Sequence, residues 1–375
     1  MSVNEDWART EKCLPFVADS MGHLLARMRP HISARILDGP ALWRLLDCAS
    51  DLPVTAAAFP FGIEVPLHVP EPRSNFGISL VGDSLTARHF QQGRNAEDTE
   101  KSSAGVAWIL DETDRETSTL RRVIGRKMGL EFEISLAESP SRTDPGIFLF
   151  PAGDVLEGGA GRFQELGAVH DALVFAGGWN PDVAERRELD RLYAALPPKR
   201  RIRRVGAFPS QERTIRTTAT DFRTAVEVMA YLERAGWPGD ASAVGEVVSF
   251  FDEYKTFVYL GLQFDVTANG LGPSLGLSFY AHESDWLKDM ECWMPLIEAI
   301  GERKLALPGK LEALARWSNG TATMYSEAGP IILVRGIHHV EMSIIGDNVG
   351  PVNGYVFFLM MSTRPGKETA GRGSR

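Results

Sequence analysis

Cysteine is scarce. Cys13, Cys48 and Cys292 are the only three in 375 residues, and none forms a CxxC pair. That usage excludes a disulfide framework and a cysteine-based zinc site, and it suits a reducing cytoplasm. No apolar run is long enough to span a bilayer, and the opening stretch, "MSVNEDWARTEKCLPF", lacks the basic start and unbroken apolar segment of a secretion signal. A soluble, cytoplasmic protein is expected. Basic residues are outnumbered, 40 Lys and Arg against 49 Asp and Glu, for a formal charge of −9. This argues against a general affinity for nucleic acid or an anionic membrane. The one dense basic segment, "PPKRRIRR" from Pro197 to Arg204, reads as a solvated loop leading into a strand, with an anion contact as the alternative. Also missing are a P-loop, a GxGxxG after a strand and an HExxH.

What is present is ordinary globular composition, with 44% hydrophobic and 24% charged residues. Apolar spacing predicts helices over residues 1 to about 50, followed by a proline-rich stretch, Pro53 to Pro72, expected to run extended across the surface. These make a helical N-terminal region and linker, 1–72. A first α+β unit is expected over 73–222, a second over 223–363, and a disordered tail over 364–375. Residues 91–103 read as an exposed polar loop.

The division rests on an internal resemblance. "MGLEFEISLAESPSRTDPGIFLF", 128–150, and "LGLQFDVTANGLGPSLGLSF", 260–279, share G-L-acid/amide-F-acid-aliphatic-Ser/Thr, a Gly/Pro turn and a second apolar strand. Each follows a helical segment and precedes a further helix and strand. The expected fold class is therefore α+β, with two related α/β-hairpin units forming a curved, mostly antiparallel sheet or barrel, with outer helices and the helical N-terminal region.

Period-two alternation assigns the faces. Leu260, Leu262 and Phe264 lie on one side of their strand, Tyr259, Gln263 and Asp265 on the other. Leu130 and Phe132 oppose Glu131 and Glu133, and Tyr280 belongs to the polar face of its own strand. In "RGIHHVEMSIIGD", 335–347, the same count puts His338 among core groups and Arg335, His339 and Glu341 on the polar face. "SDWLKDMECWMPLIEAIGER", 284–303, reads as a covering helix kinked or divided at Pro295.

Three resemblances follow from these stretches. "GIHHVEMSIIGD" resembles the opening strand of a vicinal-oxygen-chelate module, which implies that His339 or His338, with Glu341, binds a divalent metal. "GISLVGDSLTARH", 77–89, and "DALVFAGGWNPD", 171–182, resemble blocks of the SGNH hydrolases, which implies Ser84 as nucleophile and Asn180 in an oxyanion hole. However, no histidine of this chain has Asp three residues before it, as that family's base requires. Repeated α-β-β-α units with polar residues inward resemble the barrel of the ABBA prenyltransferases of natural-product pathways. That resemblance implies cations for a diphosphate (Arg213, Arg335, Arg203), aromatic groups to shield an allyl cation (Tyr259, Tyr280, Phe257, Tyr355) and a carboxylate base.

The functional expectation is an enzyme modifying a small molecule or peptide in a polar-lined cleft, by prenyltransferase-like group transfer. Glu131, Glu133, Asp265, Glu341 and His339 are the candidate catalytic groups, and Arg213, Arg335, Tyr259, Gln263 and Tyr280 the candidate substrate contacts. A metal-dependent enzyme using His339 and Glu341, with a divalent metal as cofactor, is one alternative. A non-catalytic scaffold that binds a peptide or ligand is the other.

Overall fold

The computed structural model describes residues 3–37, 39–70, 74–92, 101–134, 144–282, 291–317 and 321–363. The loop at 91–103 and the hairpin turn of the first unit fall largely outside these, as does the tail from 364. Eleven strands form one sheet: β1 (Phe61–Pro66), β2 (Ser74–Val81), β3 (Lys127–Ile134), β4 (Gly146–Leu149), β5 (Arg201–Ala207), β6 (Ile215–Phe222), β7 (Tyr259–Thr267), β8 (Gly270–Tyr280), β9 (Thr321–Ser326), β10 (Gly329–Ile345) and β11 (Asn348–Ser362). β1 to β8 pair in chain order, β10 adds beside β8, and β11 joins β10 to β1, with Glu64 opposite Tyr355. Ten strands thus close an antiparallel barrel, and β9 pairs only with the first half of β10. Closure satisfies the edges that an open sheet would expose.

Helices cover the outside because each strand turns its apolar residues outward. Phe61, Ile63 and Val65 of β1 are buried, and Phe61 stacks on Phe358 with centroids 5.2 Å apart. Tyr231 of α9 (Ala225–Ala235) stacks on Phe222 at 5.1 Å, and Phe251 of α10 (Ala241–Glu253) meets Phe279 at 4.8 Å. Each such buried side chain contributes about 1.5–3 kcal/mol of transfer free energy. "AGWPGD", at 235–240, joins the two helices: Gly236 ends α9 at φ 64°, and the Asp240 carboxylate caps α10.

Three sequence expectations fail here for physical reasons. The part of the Pro53 to Pro72 stretch that the structure describes, to residue 70, does not simply run across the surface: residues 54–58 form a buried turn, and β1 follows inside the barrel wall. The prolines at 60 and 66 bound that strand rather than preclude it. Pro295 does not kink a helix among the described residues: it lies in the first turn of the helix Met294–Glu302, where no amide hydrogen is needed, and residues 284–290 of the expected covering helix lie outside the described residues. Finally, β10 carries a bulge. Its register with β11 steps from Ile337 opposite Val356 to His339 opposite Tyr355, leaving His338 as an extra residue. Ile331, Leu333 and Ile337 face the helices before it, and Val340, Met342 and Ile344 face them after it. A strict alternation count therefore reverses both His338, which turns to the lumen, and Arg335, which turns outward.

Candidate active site in the barrel lumen

The inward faces enclose a cavity of about 770 Å³. Where β5 begins, β6 ends, β7 begins and β8 ends, its lining includes Arg201, Arg203 and Arg223. Two further bulges help to place these groups. Arg203 is the extra residue between Ile202 and Arg204, and Asp221, at φ 76°, is the extra residue between Thr220 and Phe222. Arg201 Nε donates to Asp221 at 2.7 Å, and its Nη1 pairs with Asp154. Arg204 reaches inward to pair with Glu131 and lies 3.8 Å over the Phe148 ring. Gly206 makes room for that ring, since a Cβ there would stand 2.0 Å from it.

Four rings form a ladder across four adjacent strands. Tyr259 stacks on Tyr280 at 4.5 Å, Tyr280 lies 5.2 Å from His339, and His339 stacks on Tyr355 at 3.9 Å. Cross-strand register produces this row, because Tyr259 is opposite Tyr280 and His339 opposite Tyr355. The bulge sets His338 beside the ladder, with its Nδ1 2.7 Å from Nδ1 of His339. Confinement by the barrel wall, then His282 and Arg204, lower the His338 pKa to about 4. Burial, then His338 and Arg204, hold His339 well below its usual range. Both imidazoles are neutral at pH 7.

Three carboxylates share the lumen. Glu64 accepts from Asn75 Nδ2 at 2.9 Å and from Asn353 Nδ2 at 2.7 Å. Burial, followed by the charges of Glu341 and Glu131, raises its pKa from 4.5 to about 7. Glu341 is 6% exposed, and its Oε2 accepts from Ser278 Oγ at 3.0 Å. Burial raises its pKa as well, against the lowering effect of Ser278 and Arg204.

Of the residues singled out from the sequence, the cavity gathers Glu131, Glu341, His338, His339, Arg203, Tyr259, Gln263, Tyr280 and Tyr355. It does not gather the others. Glu133 accepts from Gln211, and Asp265 pairs with Arg216 at 3.6 Å, both outside the cavity lining. Arg213 is bidentate on the buried Glu185 and donates to the Asn180 carbonyl, among the outer helices. Arg335 donates to the His31 carbonyl at 2.8 Å, near the buried Trp317. Phe257 packs against Phe279 in the outer core. Ser84 is fully buried, and its hydroxyl accepts from the Ala87 amide at the start of the helix Leu85–Gln92, which is a capping position.

No protein-family model and no curated protein matches the chain. Solved structures do match. AnaPT from Neosartorya fischeri aligns with a TM-score of 0.50, covering 93% of this chain and 93% of its own at 10% identity. The fold is the prenyltransferase barrel. The 5-dimethylallyltryptophan synthase of Streptomyces coelicolor aligns at 0.46, over 90% of this chain and 97% of its own, with 13% identity. The 6-dimethylallyltryptophan synthase of Micromonospora olivasterospora aligns at 0.47, over 80% and 82%, with 12% identity. Likeness at such identities speaks for fold, and chemistry must be argued from the site.

The sequence reading missed Glu64, Asn75, Arg201, Arg204 and Arg223 as cavity groups. A signal existed for two of them: Glu64 is the lone acid in the alternating "FGIEVP", and Arg204 ends the basic run "KRRIRR". As to metals, among the described residues no group of three or more His, Cys, Asp or Glu side chains is placed to hold an ion. Nor does any helix among them have the length and apolarity to cross a membrane.

Proposed function

We propose that the lumen transfers a prenyl group from an allylic diphosphate to an electron-rich aromatic ring of a small molecule. Arg201, Arg203 and Arg223 receive the diphosphate. The Tyr259, Tyr280, His339 and Tyr355 rings wall off water from the allyl cation. Glu64 is the proton acceptor, with the Ser278 hydroxyl oxygen accepting from the N–H or O–H of the acceptor ring. In the reaction the allylic C–O bond breaks, and its electron pair leaves with diphosphate. The ring carbon attacks the allyl cation to form the new C–C bond, and the proton of that carbon passes to Glu64. A base whose pKa sits near 7 is suited to that step at neutral pH. The observation that carries the reading is the gathering, within one cavity, of arginines, stacked rings and carboxylates of raised pKa.

A second reading, a ligand-binding protein without turnover, is favoured by one observation. Arg201 and Arg204 already carry carboxylate partners, which reduces what they offer an incoming anion. One experiment separates the two. Dimethylallyl diphosphate is incubated with the protein and a panel of phenols and indoles, and diphosphate release and product mass are followed. Calorimetric titration with inorganic pyrophosphate runs in parallel. Turnover that Glu64→Gln abolishes, with pyrophosphate binding retained, supports transfer. Pyrophosphate binding without any product supports the binding protein, and no binding at all overturns the diphosphate site.

A further inference from the structure

The charged groups lining the cavity fall into two sets. Where β5 begins and just beyond the end of β6, Arg201, Arg203 and Arg223 share one lining acid, Asp221. Further along the strands, Glu64, Glu131 and Glu341 share one lining cation, Arg204, while Arg216, outside the lining, also acts on Glu341. The Arg204 guanidinium is committed to Glu131 by a direct ion pair. Among the described residues, Glu64 has only the amides of Asn75 and Asn353 and the Tyr355 hydroxyl as hydrogen-bond partners, and Glu341 only the Ser278 hydroxyl. None of these partners carries charge.

Glu341 also has an open oxygen. Its Oε2 accepts from Ser278, whereas Oε1 accepts no hydrogen bond among the described residues, although the residue is only 6% exposed. A carboxylate so placed has already lost most of its water, and the fold has already borne that cost. A ligand cation would therefore gain a charge-assisted hydrogen bond without a second desolvation of its partner.

We propose that the aromatic acceptor of this site carries a protonated amine, which docks on the Glu341 side of the lumen carboxylates. The inference rests on the transfer reading above, and it narrows the acceptor to aromatic amines. A free amino acid fits less well, because its carboxylate would meet the acidic set while Arg201, Arg203 and Arg223 hold the diphosphate. The raised pKa of Glu64 agrees with this, since a cation beside the cluster would offset the repulsion from Glu341 and Glu131.

Three phenols of nearly equal size make the test: tyramine, 4-ethylphenol and 3-(4-hydroxyphenyl)propionate, which at pH 7 are cationic, neutral and anionic. Each is titrated calorimetrically into the protein, with and without inorganic pyrophosphate. Tyramine is expected to bind about ten- to a hundredfold more tightly than 4-ethylphenol, and the propionate more weakly than both. Glu341→Gln should remove most of the tyramine advantage while leaving 4-ethylphenol affinity within about twofold. The wild-type series stands without the variant, should the variant fold poorly. Equal affinity for tyramine and 4-ethylphenol overturns the amine site and leaves the transfer reading intact. Binding by none of the three overturns the amine site too, and the pyrophosphate titration then judges the transfer reading separately.

Discussion

Replacing Glu64 with Gln should stabilise the protein at alkaline pH, and the structure gives the size of the effect. The Glu64 carboxyl holds its proton up to about pH 7, against an ordinary value of 4.5. A carboxyl that binds its proton more tightly when folded favours folding at low pH. The contribution is fully present below pH 4.5 and is lost as pH rises through about 7. The difference corresponds to about 3 kcal/mol of folding free energy forfeited at about pH 8. Glutamine removes that loss but cannot accept from both Asn75 and Asn353, because only one of its two terminal atoms is an acceptor. One hydrogen bond is forfeited, at about 1 kcal/mol. The net expectation is a variant more stable than wild type by about 2 kcal/mol at pH 8, and less stable by about 1 kcal/mol at pH 4.5. At this chain length that amounts to a few degrees in melting temperature. Thermal unfolding followed at intervals between pH 4.5 and 8 measures it, and the two melting curves should cross at about pH 5. A constant difference across the range, or a variant less stable at pH 8, would refute the claim that Glu64 is an uncompensated buried acid.

Arg204→Leu leaves Glu131 in the lumen without its ion pair and should cost about 3 kcal/mol in denaturant unfolding. A loss under about 1 kcal/mol would mean that the lumen is wet enough to solvate Glu131 by itself. Gly77→Leu should do the opposite, sparing the fold and blocking the site. A Cβ at Gly77 meets nothing closer than Glu131 Cγ at 3.8 Å and the Leu130 carbonyl at 3.9 Å, while the rest of the new side chain projects into the cavity. Its melting temperature should stay within about 2 °C of wild type, and its affinity for tyramine should fall at least about tenfold.

What the sequence made legible was the face of each strand, and what it concealed was position along and around the barrel. Glu131, Gln263, Tyr280 and Glu341 could be placed on polar faces by alternation alone, because a side-chain period of two survives wherever a strand is regular. Depth is another matter. Glu133 and Asp265 share faces with Glu131 and Gln263, yet two residues advance a strand by about 7 Å. That step carries them out of the cavity lining, to Gln211 and Arg216 from the β5–β6 connection and β6. Nothing in the sequence around Glu133 announces that a glutamine 78 residues later will engage it. The bulges conceal more. Arg203, Asp221 and His338 each occupy an extra position in a strand, all three line the cavity, and none could be found by counting. A bulge lets both neighbours of the irregularity turn inward, so it concentrates polar groups where an alternating strand could supply only every second one. The three bulges belong to strands that also form the cavity wall, and they bring an arginine, an aspartate and a histidine to the lumen beyond what alternation allows. The residues hardest to read were thus those the backbone had to depart from regularity to place, as expected where a wall is shaped for a ligand rather than for packing.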